Sequence, residues 1–128
     1  MTLLLDTCVF IWLTQEPAKL SAVAQTAIND PANTLAFSHA SAWEMHLKHH
    51  AGKLSLPDPP RQWIPLQLAA WKIHEQGITL HAVHRTSDLP DIHRDPFDRM
   101  LIAQALEENL TIVSPDQFFP SYGVNVIW

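Results

Sequence analysis

Asp95-Pro96-Phe97-Asp98-Arg99-Met100-Leu101-Ile102-Ala103-Gln104-Ala105 decides more of the fold than any other stretch of the chain. Pro96 suits the first helical position, where a missing N–H costs nothing, and Asp95 before it suits the N-cap. Met100, Leu101, Ile102, Ala103 and Ala105 predict a deeply packed helix over 97–108. Leu110 to Val113 then forms a short, continuously apolar run, the pattern of a buried strand. Two carboxylates at the mouth of so apolar a helix are unfavourable unless something cationic is held beside them.

The same alternation runs through the rest of the chain. Leu3-Leu4-Leu5 reads as a buried strand ending at Asp6, and 7–13 as a short apolar helix or turn. Ser21 is placed as the N-cap of an Ala-rich helix reaching about Asn29, stopped by Asp30-Pro31. A second strand is expected over 34–37. Ser38 or Ser41 then caps a helix carrying Trp43, Glu44, Leu47 and Lys48, with Gly52 as its stop. The Pro-rich segment 56–60 is too short to separate two cores. Pro65 suggests the first turn of a helix to about Gln76, ended by Gly77. A third strand is expected over 78–80, a short helix and loop over 82–91, and an edge strand over 124–127.

Helices alternating with short apolar strands predict one α/β domain over 1–128, with a mainly parallel central sheet flanked by helices. Such sheets bind ligands outside the carboxyl ends of their strands. Asp6 and Asp116 closely follow strands, so both fall at that edge.

Bulk properties agree with a compact domain: 128 residues, 47% hydrophobic and 16% charged. Cys8 is the single cysteine, which excludes an internal disulfide and suits a reducing cytoplasm; a lone thiol in an apolar run reads as packing. The N-terminus lacks a basic segment and Asp6 interrupts its first apolar run, so no export signal is expected. No run has the length of a membrane span. The net charge of −5 gives no bulk attraction for nucleic acid, so a polyanion needs a local basic patch or a bound cation.

Each acid has an ordinary reading beside a functional one. Asp95 is the N-cap, and Asp98, inside the first turn, is the better candidate ligand. Arg99 is available to partner either. Asp6 could merely stop a strand, Glu44 could pair with Lys48 one turn on, and Asp116 could cap the turn at Gln117-Phe118-Phe119. Their joint placement at one sheet edge favours a site. Carboxylate oxygens suit Mg²⁺ or Mn²⁺, whereas Zn²⁺ would want histidine or cysteine. Several acids around such an ion activate water for phosphodiester hydrolysis.

The eight histidines contain no His-Glu-x-x-His order, and His46, His49 and His50 with Lys48 and Lys53 read as a solvated, mildly basic face. His93, Arg94 and Arg99 add positive charge beside Asp95 and Asp98, able to meet a phosphate backbone. The five tryptophans are core or interface by default, with base stacking an open use for one. Three glycines leave no room for a phosphate-binding loop. There is no Gly-x-Ser-x-Gly elbow, and Cys8 has no evident histidine partner.

Over nearly its whole length the chain resembles the PIN-domain proteins, specifically VapC-type toxins of bacterial type II toxin–antitoxin systems. Leu5-Asp6-Thr7, Ser41-Ala42-Trp43-Glu44, Gly52-Lys53-Leu54-Ser55-Leu56-Pro57, Leu89-Pro90, His93-Arg94-Asp95-Pro96-Phe97-Asp98-Arg99, Leu101-Ile102-Ala103-Gln104-Ala105, Ser114-Pro115-Asp116 and Tyr122-Gly123-Val124 carry it. The resemblance implies a PIN-like three-layer sandwich and a Mg²⁺-dependent endoribonuclease, Mn²⁺ being a substitute. Its catalytic and metal-binding acids map to Asp6, Glu44, Asp98 and Asp116. Thr7, Asp95, Arg99 and Ser114 are accessory, and Arg94 and Lys48 are candidate RNA contacts. Pro115 departs from the family's usual pattern. A homodimer, a small cognate antitoxin and a cytoplasmic location are also implied. A non-catalytic RNA- or protein-binding module, or a metal-dependent nuclease or phosphatase with another phosphate ester, are the alternative readings.

Overall fold

The computed structural model describes residues 1–128. Five strands form one sheet: β1 (Thr2–Leu5), β2 (Thr34–Ser38), β3 (His74–Gln76), β4 (Thr111–Val113) and β5 (Asn125–Ile127). Their order is β3-β2-β1-β4-β5, and every pairing is parallel. Six helices connect them: α1 (Thr7–Gln15), α2 (Ala22–Asn29), α3 (His39–His50), α4 (Pro60–Trp71), α5 (Leu80–Asp88) and α6 (Pro96–Glu108).

Parallel strands bonded on both sides must bury both faces, and the two-residue period of a strand divides the side chains between them. In β1, Leu3 and Leu5 join a cluster of 14 buried residues that includes Val9, Phe10, Phe37, Met45 and Ile64. Leu4 points the other way, into a cluster of 13 with Leu101, Ile102, Ala105, Ile112 and Phe119. With the apolar burial so evenly split, the fold has three layers, as the sequence predicts. Phe10 and Phe37 lock α1 to β2 with ring centroids 4.3 Å apart, a contact of about 1 kcal/mol beyond its area.

The helix boundaries follow local chemistry. Ser21 Oγ accepts the Ala24 N–H at 3.0 Å, and Ser38 Oγ accepts from Ala40 at 3.0 Å, so Ser38, not Ser41, caps α3. Asp95 Oδ1 accepts from Phe97 at 2.8 Å and Asp98 at 3.3 Å. Each such cap contributes about 1 kcal/mol.

The middle of the chain departs from expectation. Pro60, not Pro65, opens α4, and Pro65 lies inside it. The helix ends at Lys72, whose φ of 54° is left-handed, and Ile73 N–H returns to Leu68 O at 2.9 Å. That reversal buries Ile73 and aims His74-Glu75-Gln76 at the sheet as its edge strand. A strand of three polar residues carries no apolar run, so hydrophobicity points instead to 78–80. Thr79 is the N-cap of α5, accepting from Ala82 at 3.1 Å. The tryptophans also differ, since none of the five is buried.

Because all strands run one way, their carboxyl ends share an edge. Chain order reverses direction between β1 and β4, and a crevice opens there beyond the strand ends. Asp6 lies at the end of β1, its N–H extending the ladder to Val113 O at 3.0 Å. Ser114-Pro115-Asp116 leave β4 beside it.

Candidate active site

Asp6, Glu44, Asp98 and Asp116 line a single cavity of about 360 Å³ at this edge, with Thr7, Cys8, Lys48, Asp95 and Pro115 also in its walls. Four separate elements supply them. Asp6 sits at the β1–α1 junction, Glu44 in the second turn of α3, Asp98 in the first turn of α6, and Asp116 in the loop after β4.

Ser114 ties two of the acids together. Its hydroxyl donates to Asp6 Oδ2 at 2.6 Å and accepts the Asp116 N–H at 3.0 Å. Asp116 Oδ1 also accepts from Phe118 N–H at 2.9 Å, fixing the loop that Pro115 begins. Glu44, though buried, accepts from Lys48 Nζ at 2.7 Å. The i,i+4 pair and the site placement therefore hold together. Thr7 Oγ1 donates to Ser41 Oγ at 2.9 Å, joining the first turns of α1 and α3 behind the acids.

The field in the cavity is unbalanced. Burial, opposed in part by the Ser114 hydrogen bond and reinforced by Glu44 and Asp116, raises Asp6 above the ordinary carboxylate range. Burial first, and then the charges of Asp6 and Asp95, push Asp98 up to about 7. The Cys8 thiol, pushed up to about 12 by burial and Asp6, is no nucleophile near neutral pH. So many acids facing one small space without matching cations is the condition a bound cation relieves.

His93 is the residue that sequence reading missed as part of the site. Its Nε2 lies 2.7 Å from Asp116 Oδ2, and its Nδ1 lies 3.8 Å from Asp98 Oδ2. Donor atoms of His93, Asp98 and Asp116 all fall within 4.8 Å of one another. The backbone N–H of His93 donates to the Tyr122 hydroxyl at 2.5 Å, so the His93 backbone is tied to the short 3-10 helix Phe119–Tyr122. The signal lay in the run His93-Arg94-Asp95-Pro96-Phe97-Asp98, where His93 reads only as added charge.

One expected contact is placed elsewhere. The Arg99 guanidinium partners neither acid. It donates to the carbonyls of Pro90 (2.8 Å), His93 (3.2 Å), Thr86 (2.8 Å) and Leu89 (3.1 Å), clamping the α5–α6 loop. Arg94 is exposed and lines a neighbouring cavity with Trp43 and Phe97.

The donor set suits a hard divalent cation. Asp6, Glu44, Asp98 and Asp116 offer oxygen ligands, the chemistry that Mg²⁺ and Mn²⁺ favour. The raised carboxyls of Asp6 and Asp98 mark where positive charge is wanting.

A five-stranded parallel sheet with acids gathered at its carboxyl edge defines a class, and residues 3–125 match the PIN-domain family. The chain belongs to that family. Among curated relatives, Ribonuclease VapC22 of Mycobacterium tuberculosis (strain ATCC 25618 / H37Rv) is 32% identical over 122 residues, covering 94% of this chain and 92% of that protein. Similar solved folds include VapBC2 from Rickettsia felis, bound to a DNA fragment from its promoter. It superposes with a TM-score of 0.72 at 13% identity over 98% of this chain and 97% of its own. DNA-bound VapBC from Salmonella typhimurium gives 0.70 at 15% identity over 98% and 96%.

Proposed function

We propose that this protein is a divalent-metal-dependent endoribonuclease and the toxin of a type II toxin–antitoxin pair. The observation that carries the reading is the convergence of Asp6, Glu44, Asp98 and Asp116 on one cavity at the sheet edge. Kinship with a VapC-type ribonuclease over most of both chains supports the same chemistry.

In this reading Asp6 and Asp98 hold the principal cation, Mg²⁺ with Mn²⁺ as substitute. Glu44 and Asp116 complete its surroundings directly or through water, or orient the nucleophile. A divalent cation held by these acids would supply water activation and positive charge against the phosphate. The protein's own part is orientation. Ser114 Oγ holds Asp6, His93 Nε2 holds Asp116, and Lys48 Nζ restrains Glu44 while adding positive charge at the cavity wall. Acids fixed in this way need little rearrangement when substrate arrives.

RNA is the substrate class, met by Lys48 and Arg94 despite the acidic total. A small cognate antitoxin is the protein partner, a reading supported by a similar solved fold described as a member of the VapBC family of toxin–antitoxin systems. A homodimer in the cytoplasm completes the reading; no helix is long and apolar enough to cross a membrane.

Incubating the purified protein with structured RNA, in Mg²⁺ and in EDTA, tests the chemistry. Cleavage in Mg²⁺ only, reduced by about 100-fold or more in Asp6→Asn, is the expected result. Equal cleavage by wild type and variant would overturn the site. Growth arrest on expression, relieved by co-expressing the product of an adjoining gene, tests the toxin role separately.

A further inference from the structure

A second cavity, of about 450 Å³, is lined by chain neighbours of the acidic one's residues and has a different character. Trp43, Ile78, Phe97, Met100 and Arg94 supply the walls that matter, and no carboxylate lines it. In a chain of net charge −5, an acid-free hollow edged by arginine favours an anionic ligand.

The two cavities have no lining residue in common, but their linings alternate along the chain at 43–44 and 94–98. Trp43 precedes Glu44 and Phe97 precedes Asp98, so two aromatic rings stand one residue from two of the acids. Trp43 is 61% exposed while Glu44 beside it is 6% exposed. Its ring meets Phe97 edge-on, with centroids 5.2 Å apart at 78°. That contact braces the indole without stacking on it. Arg94 takes part in none of the six ion pairs of the protein, so its guanidinium is free to meet a ligand. Arg99 closes the floor but is committed to backbone carbonyls.

We propose that this cavity receives an unpaired nucleobase flanking the phosphate that lies over the acids, with Trp43 as the stacking surface and Arg94 as the cation at its rim. The proposal rests on the ribonuclease reading for the identity of the polymer. Stacking on an aromatic ring with an arginine nearby is how single-stranded RNA is held when its bases are splayed out. An apolar side-chain pocket would not need the free guanidinium, and a phosphate alone would not need the exposed indole. Trp43 is thus a substrate-positioning and specificity residue, and it selects unpaired RNA because a paired base cannot leave its stack without cost.

The test separates this pocket from the chemistry beside it. Binding of a labelled, unstructured RNA of about eight nucleotides is measured by anisotropy in Mg²⁺, using Asp98→Asn to block turnover. Adding Trp43→Ala should weaken binding about tenfold or more, and Trp43→Phe should stay within about threefold of the parent, since phenyl also stacks. Arg94→Ala should weaken binding and flatten its salt dependence. In the cleaving protein, Trp43→Ala should raise KM for unpaired RNA more than it lowers kcat. Circular dichroism confirms that each variant is folded.

Unchanged RNA binding by folded Trp43→Ala would overturn the proposal. So would unchanged RNA binding together with lost binding of a co-expressed protein partner, which would make the hollow a protein-docking site. If wild type cleaves no RNA while Trp43-dependent binding persists, the nuclease reading falls and the base pocket stands.

Discussion

At the mouth of α6, Asp95 Oδ1 accepts two backbone amides, while Asp98 one turn in lies among the other acids and is pushed up to about 7. The same side chain therefore does two jobs three residues apart, and substitution separates them. Asparagine caps a helix nearly as well as aspartate, so Asp95→Asn should keep most activity, while Asp95→Ala should cost about 1 kcal/mol of stability. Asp98→Asn should lose cleavage by about 100-fold or more and melt no lower in the absence of metal. Rate measurements beside thermal melts check both. Comparable loss of activity in Asp95→Asn and Asp98→Asn would erase the distinction. Arg99 gives a second prediction at this scale. Lysine cannot reproduce a fork that satisfies four carbonyls, so Arg99→Lys should destabilise the protein by about 2 kcal/mol in urea titration.

Among the elements, α6 is the one on which both the core and the site depend. Its apolar faces bury Leu101, Ile102 and Ala105, while Gln104, 1% exposed, is a polar group inside that packing. Ser38 Oγ donates to Gln104 Oε1 at 2.6 Å, and Gln104 Nε2 donates to Gly77 O at 3.1 Å. One amide therefore links α6 to the ends of β2 and β3, behind the acid-bearing edge. Gln104→Leu keeps the volume but strands the Ser38 hydroxyl and the Gly77 carbonyl. The expected loss is about 1–3 kcal/mol, measured by chemical denaturation. Ser38→Ala alone also removes the α3 cap, so the double variant should lose less than the sum of the two single losses, the mark of a direct Ser38–Gln104 coupling.

For the whole molecule, the clustered acids make stability depend on pH and on metal. Asp98 holds its proton more tightly folded, at about 7, than at its ordinary 3.8. Its contribution is fully present below about 3.8 and is lost as pH rises through about 7; the raised Asp6 acts in the same direction. In EDTA the protein should melt lower at pH 8 than at pH 5.5. Asp98 accounts for at most about 1.4 kcal/mol per pH unit in that window. Asp98→Asn should flatten the slope, and Mg²⁺ should raise the melting temperature most at high pH, where protons no longer compete for the carboxylates. A melting temperature in EDTA that is flat or rises with pH would contradict this account of the cavity.

The amino-acid sequence by itself determined the α/β class, the parallel sheet, the caps at Ser21 and Asp95, and the acids that follow β1 and β4. These are local matters: a buried strand needs an apolar run, a helix start needs an acceptor for its free amides, and a strand end is where a polar residue is tolerated. Only the tertiary structure decided that His74-Glu75-Gln76 pairs as a strand, because its support comes from β2 and not from its own side chains. Only it turned Arg99 from the acids to the carbonyls of the α5–α6 loop. Only it brought His93 to Asp116, across 23 residues of chain. The opening stretch held both carboxylates in plain view, but how each is used depends on what the rest of the fold sets against it: backbone amides at Asp95, and at Asp98 the charge of acids from distant elements, which no local pattern records.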